Sequence, residues 1–262
     1  MELFDRFISG ALEAYGQERD FPAQPSTSQL SPHLHFGELS VQRLWTHLVE
    51  HQASIDFAGQ EEQIWSWLRQ LVWREFSHHL LYHFPASAEQ PLNPRFAEMA
   101  WSEDTELLSL WRDGRTGYPL VDAGMRQLWQ TGWMHNRVRM VVASFLTKHL
   151  GIHWLQGARW FWDTLVDADL ANNTMGWQWV AGCGADAAPY YRIFNPTLQS
   201  QKFDAGGKYI RHWVPELGAL KGKELHEPAK AVSTGLVNYP LPCVDHRKAR
   251  QAALDRYQEV RG

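Results

Sequence analysis

Apolar positions in this chain recur at intervals of three and four residues rather than two. Leu3, Phe4, Phe7, Ile8, Leu12 and Tyr15 set the period, which predicts a helix over residues 2–16. The proline- and serine-rich stretch FPAQPSTSQLSP (21–32) then reads as a loop. Helical spacing returns over 40–51 and over 62–83, the second stopped by Pro85, and again over 119–130, broken at Thr131 or Gly132. The clearest pattern covers 133–150 and ends at Gly151, with Lys148 and His149 in a last turn where cations complement the helix dipole. Shorter helices are predicted over 153–166, about 173–181, 205–217 and 246–260. No alternating run exceeds four residues, so the expected fold class is all-α. The expected organisation is a single helical domain over 1–262. With no βαβ pattern and no G-x-G-x-x-G opening a helix, a doubly wound dinucleotide crevice is excluded.

Composition narrows the picture. The chain has 262 residues, 44% hydrophobic and 21% charged, which describes a globular protein with an ample core. Its longest apolar runs, such as MVVASFL (140–146), fall well short of the roughly 18 residues of a membrane helix, so no membrane association is expected. The N-terminal MELFDRFISGALEAYGQERD mixes acids with basics and has no apolar centre, so no leader peptide is expected. Two cysteines, Cys183 and Cys243, cannot build a disulfide framework; a reducing, cytoplasmic setting is expected. A net charge of −4 argues against a non-specific nucleic-acid coat but leaves room for a local basic patch. Fourteen tryptophans, most of them in 64–76, 99–111 and 129–179, exceed what burial needs. Such a supply suits a planar ligand, electron transfer or the stacking of bases.

Three constellations carry candidate chemistry. In Ser26-Thr27-Ser28-Gln29-Leu30-Ser31-Pro32, Ser31 is placed to N-cap a helix whose first residue is Pro32. The hydroxyls and free N–H groups there make either a capped helix after a linker or an anion site. In Trp133–Met140, Arg137 and Arg139 point about 200° apart on a helix. One inward arginine demands a carboxylate or phosphate, and Asp167 and Asp169 are the candidates. In Asn172–Trp179, Trp177 and Trp179 are likewise two apart, so they are expected to serve different partners or to fill the core. The histidines (His78, His79 and His83; His149 and His153) lack the partners of a zinc spacing, and no metal site is expected.

Together these motifs resemble the photolyase/cryptochrome family, specifically the helical FAD-binding catalytic domain of class I cyclobutane pyrimidine dimer photolyases. The carriers are TSQLSP (27–32), WLRQLVWREF (67–76), GRTGYPLVDAGMRQL (114–128), GWMHNRVRM (132–140) and the stretch 167–196. The resemblance implies FAD, reduced in the active state, and no α/β antenna-chromophore domain in this sequence. It implies that 1–31 forms an entry helix and phosphate-binding loop, with Tyr15, Thr27, Ser28, Leu30 and Ser31 around the flavin's phosphates. Trp67, Arg74, Asn136, Arg139, Asp167, Asp169 and Asn173 would line the cofactor, Asn173 beside its reactive ring edge. Trp177, Trp154 and Trp101 would form an electron path to the surface. Trp73 and Trp179 would flank a flipped-out dimer, with Gln70 and Met140 touching it and Arg137 and Arg192 on DNA phosphates. Gln70 departs from the family's usual Glu, and Asn172-Asn173-Thr174-Met175 from its commoner Asn-Asn-Gly-Gly. The implied protein is a monomer acting on DNA that contains pyrimidine dimers. The alternatives are a cryptochrome-like photosensor without repair and a six-four photolyase; the latter needs two substrate histidines where this chain has Asn136 and Met140.

Overall fold

The computed structural model describes residues 1–54, 61–187 and 191–261. Among them every regular element is a helix: α1 (Glu2–Ile8), α2 (Tyr15–Glu18), α3 (Ser31–His35), α4 (Val41–Ser54), α5 (Glu61–His83), α6 (Thr105–Arg112), α7 (Pro119–Thr131), α8 (Asn136–Ser144), α9 (Trp154–Thr164), α10 (Leu170–Ala181), α11 (Pro196–Phe203), α12 (Lys208–Trp213), α13 (Lys223–His226), α14 (Ala229–Ser233) and α15 (His246–Arg261). The described residues form no sheet; Ser102 and Ile152 make an isolated bridge. The all-α expectation holds, and no described helix is long and apolar enough to cross a membrane.

Where an apolar stripe coincides with clear punctuation, the expected boundaries hold to within a few residues, as in α4, α5, α7 and α15. Gly132 ends α7 in the left-handed region (φ 68°), a conformation glycine adopts without strain. Elsewhere the chain departs from its periodicity. The helix expected over 2–16 breaks after Ile8 and resumes as a 3₁₀ turn, Ala11–Ala14, and then α2, because Gly10 takes a non-helical φ/ψ of −136°/−84°. The helix expected over 133–150 starts only at Asn136, where the His135 ring accepts the Arg137 N–H as an N-cap. It ends in a π turn, Phe145–His149. The stretch 205–217 divides into α12 and the 3₁₀ turn Pro215–Leu217, since Pro215 has no N–H to extend the helix. Ser31 does not cap α3: Leu30 occupies the cap position without a side-chain bond, and Ser31 is the first helical residue.

Two hydrophobic clusters result. The smaller joins α1, α4 and the buried face of α5 through Phe4, Phe7, Leu12, Tyr15, Leu30, Leu44, Leu48, Trp67 and Leu71. The larger is built on α7–α10 and the C-terminal segments around Trp111, Val138, Phe145, Trp154, Phe161, Trp177 and Ile210. Helix α5 faces both: its apolar side closes the smaller cluster, and it also packs against α10. That double role places Gln70, Trp73 and Arg74 at the junction.

Candidate functional site

A cavity of about 640 Å³ opens at this junction, a size suited to an organic ligand. One wall comes from α5 (Gln70, Trp73, Arg74) and the adjoining Arg19 and Asp20. The opposite side comes from Asn136, Arg137, Arg139 and Met140 of α8, Phe161 of α9, the segment 165–169, and Asn172, Asn173, Met175, Trp177 and Trp179 of α10.

The floor is rigid because its polar groups are already bonded. Arg139 grips Asp167 through two parallel hydrogen bonds, Nη1 to Oδ1 at 3.0 Å and Nη2 to Oδ2 at 2.8 Å, while its Nε donates to the Met134 carbonyl at 2.7 Å. Spacing left both Asp167 and Asp169 as partners for an inward arginine, while the family resemblance implied the Arg139–Asp167 pair; the packing has that pair. Asp169 instead N-caps α10, accepting the Asn172 N–H at 2.9 Å, and lies 3.4 Å from Arg74 and 3.2 Å from His78. Burial pushes the Asp169 carboxyl up, but the Asn172 N–H, the Arg74 guanidinium and His78 outweigh it and hold it below the usual carboxylate range. Asn173 donates Nδ2 to the Ala158 carbonyl at 2.9 Å, which leaves its amide oxygen as the group available to a ligand's N–H.

The indoles have distinct surroundings. Trp177 is 2% exposed and lies across Gly157 of α9 so closely that a Cβ there would meet its ring at 2.1 Å. It packs edge-on against Phe161 and Trp111, and its buried Nε1 has no protein partner. Trp179 is partly buried; its Nε1 donates to the Asp186 carbonyl at 3.1 Å, and the exposed Arg192 lies over its ring at 5.3 Å. The i, i+2 spacing does not send these two indoles to different surfaces: both line this one cavity. Trp154, fully buried, sits one turn before Gly157 on α9, and the half-buried Trp101 reaches it through His153, with centroid distances of 5.0 and 5.5 Å.

Not every expected residue lies on the cavity. Tyr15, Leu30 and Trp67 are buried in the smaller cluster, and Thr27, Ser28 and Ser31 lie in the adjacent loop and at the start of α3, outside the cavity lining. The loop's hydroxyls already have partners at two positions: Ser26 donates to Glu18 at 2.5 Å, and Ser28 accepts the Trp67 Nε1–H at 3.4 Å. Arg74 joins α3 to the cavity, donating to the Leu34 carbonyl at 3.3 Å. Arg137, expected on a DNA phosphate, is ion-paired with Asp20 at 2.6 Å and stacked on Phe203 at 4.4 Å, so a phosphate would have to compete with a short internal pair. Arg19 and Asp20 were legible in the sequence only as charges. Arg19 donates to the Gln70 amide oxygen at 3.0 Å and lies over Tyr15, which orients Gln70 along the wall. Among the described residues no group of three His, Cys, Asp or Glu side chains is placed to hold a metal ion.

A helical fold with a cavity of this volume, lined by a bidentate ion pair and by indoles from two helices, fits a ligand-binding domain. Comparison with known proteins gives that class a family: residues 67–259 match the FAD binding domain of DNA photolyase, and the chain belongs to that family. It is 52% identical, over its whole length, to a deoxyribodipyrimidine photo-lyase of Agrobacterium fabrum, covering 55% of that protein. The crystal structure of a bacterial class III photolyase from Agrobacterium tumefaciens superposes with a TM-score of 0.92 at 51% identity, covering 99% of this chain and 55% of the other. A Synechocystis cryptochrome superposes at 0.88 with 36% identity, covering 97% and 54%. The chain thus spans about half the length of the relatives it matches.

Proposed function

We propose that this chain holds FAD in the cavity and takes part in light-driven splitting of cyclobutane pyrimidine dimers in DNA. One observation carries the reading: Trp73 and Trp179, contributed by α5 and α10, line a single cavity whose floor is the Arg139–Asp167 pair and Asn173. The floor suits a flavin. The unpartnered Trp177 Nε1–H and the free Asn173 amide oxygen offer a donor and an acceptor to a ring edge carrying both kinds of group. Arg74, Asn136, Arg139, Asp167, Asp169 and Asn173 would hold the cofactor in the cavity. Tyr15, Thr27, Ser28, Leu30, Ser31 and Trp67 would shape the adjoining loop toward its phosphates.

When bound and reduced, FAD would supply light-driven electron donation to the dimer, with the electron recovered after the ring opens so that no net oxidation results; the protein supplies orientation and electrostatics. Trp73 and Trp179 give two flat apolar faces to a flipped-out lesion. Flipping costs a few kcal/mol, least for a damaged and poorly stacked pair. Gln70, its oxygen held by Arg19, and Met140 would contact the bases, while Arg192 reaches a backbone phosphate from the rim. Trp177, Trp154 and Trp101 would carry electrons between surface and cavity to reduce the cofactor, a role separate from repair. The likeness to a class III photolyase supports dimer repair without fixing the class.

A second reading, a flavin photosensor without repair, draws on the likeness to a cryptochrome. The test of both is one experiment: load the protein with FAD, reduce it, and illuminate it with oligonucleotides carrying a cyclobutane dimer or a six-four lesion. Light-dependent loss of the cyclobutane dimer alone is expected. Bound, reduced flavin with no loss of dimer would overturn the repair reading in favour of the sensor.

A further inference from the structure

Trp179 donates to Asp186 in the segment that follows α10, and Ala181 and Tyr191, which flank Asp186 in sequence, both meet a buried lysine. Lys148 lies in the π turn after α8 and is 1% exposed. Its partners are not carboxylates: Nζ donates to the Ala181 carbonyl at 2.6 Å and lies 3.1 Å from the centre of the Tyr191 ring. Desolvating an ammonium costs several kcal/mol even after relaxation, and a methionine would fill the same volume without that cost. A structural reason for the lysine is therefore required, and its two contacts supply one.

Ala181 is the last residue of α10, so its carbonyl is among those a helix end leaves without an intrahelical donor, at the negative end of the dipole. Gly182 follows at φ 93°, and a Cβ there would lie 2.9 Å from the Tyr191 ring and 3.5 Å from Nζ; only glycine lets the three groups meet. Tyr191 is stacked on Tyr257 of α15 at 4.2 Å and 10°, while its buried hydroxyl has no partner. The cluster therefore uses the ring and not the phenol. Between Ala181 and Tyr191 in sequence, Asp186 adopts φ 54°, uncommon outside glycine, and its carbonyl accepts the Trp179 Nε1–H.

We propose that Lys148 is a positioning residue for the Trp179 wall: by binding the Ala181 carbonyl and the Tyr191 ring together, it fixes the end of α10 from which Trp179 and its partner Asp186 project toward the cavity. The functional consequence rests on the reading of Trp179 as a wall of the lesion pocket; the structural one does not.

The test places 5-fluorotryptophan at position 179 alone and follows its ¹⁹F line in the parent protein and in Lys148→Met, Tyr191→Phe and Tyr191→Leu. Flavin affinity and affinity for a dimer-containing oligonucleotide are measured alongside. Lys148→Met and Tyr191→Leu are expected to shift or broaden the line and weaken oligonucleotide binding about fivefold, the scale of a misplaced rather than a missing stacking surface, with flavin affinity unchanged. Tyr191→Phe keeps the ring and is expected to match the parent in every readout. Should Lys148→Met fail to fold, the two Tyr191 variants carry the test by themselves. An unaltered ¹⁹F line in folded Lys148→Met overturns the proposal, and so does a Tyr191→Phe that behaves like Tyr191→Leu. A moved line with undiminished oligonucleotide binding upholds the positioning role and removes Trp179 from the lesion pocket.

Discussion

The floor and the mouth of the cavity are built on opposite plans. At the floor, Arg139, Asp167, Asp169 and Asn173 are tied to one another and to backbone by short hydrogen bonds, beneath a Trp177 that is 2% exposed. At the mouth, Trp73 is 43% exposed, and Trp179 is fixed through one indole N–H to a loop. The difference follows from chemistry. A cofactor that stays needs groups whose orientation is settled before it arrives, which lowers the ordering cost of binding. A lesion that comes and goes needs apolar faces that water covers weakly and a substrate can cover instead.

The comparison can be broken most forcefully at Asp167. Asp167→Ala leaves Arg139 without its counter-charge, and a loss of about 3–5 kcal/mol in unfolding free energy is expected, together with loss of bound flavin. Chemical denaturation and the flavin-to-protein ratio check this; an unchanged midpoint would mean that the floor is not preorganised by that pair.

The next effect is a pH dependence rooted beside the floor. Burial pushes the His135 ring down to about 4, against Asp20 and with help from Arg139 and Arg137. Between the unfolded value near 6.5 and the folded value, the unfolded chain takes up a proton that the folded one refuses. Stability is therefore full above about pH 6.5 and falls toward pH 4, by about 3 kcal/mol for this group. His149, pushed down to about 3 by burial and then by His246, extends the loss to lower pH. Denaturation midpoints over this range should flatten in His135→Asn, which keeps a capping side chain without a titrating ring; an unaltered slope would exclude His135 as its source.

Gly157→Ala gives a smaller change. Its Cβ would fall 2.1 Å from the Trp177 ring, so α9 and α10 must separate or the indole must turn. A cost of about 1–3 kcal/mol is expected from such overpacking, with a changed near-ultraviolet dichroism as the Trp177 signature. Trp73→Ala has the least effect on the fold, within about 0.5 kcal/mol as for other exposed positions, yet should weaken dimer-DNA binding by about 1–3 kcal/mol while sparing flavin. Equal losses of flavin and DNA in that variant would erase the distinction between floor and mouth.

Much of this was legible without coordinates, and the exceptions have causes. α5, α7 and α15 follow from periodicity because stripe and punctuation agree. α6 went unpredicted although its signals were present: Asp104 caps it by accepting the Leu107 N–H at 2.8 Å, and Leu107, Leu108 and Trp111 have helical spacing. The break at Gly10 and the π turn at 145–149 were not legible, because periodicity continues through both while packing sets the backbone. Arg19 and Asp20 were missed because their charges acquire meaning only beside Gln70 and Arg137.

By itself the sequence determined the helical class, the surplus of indoles, the need of an inward arginine for a carboxylate, and the motifs that mark the family. Those are properties of residue type and short-range spacing. The resemblance, not spacing, implied that Arg139 takes Asp167 and that Trp73 and Trp179 share one pocket; only the tertiary structure decided that Asp169 lies beside Arg74 while capping α10, and that Arg137 pairs with Asp20. Each of these joins segments far apart in the chain, and helical periodicity fixes which way a side chain faces but not which other helix it meets.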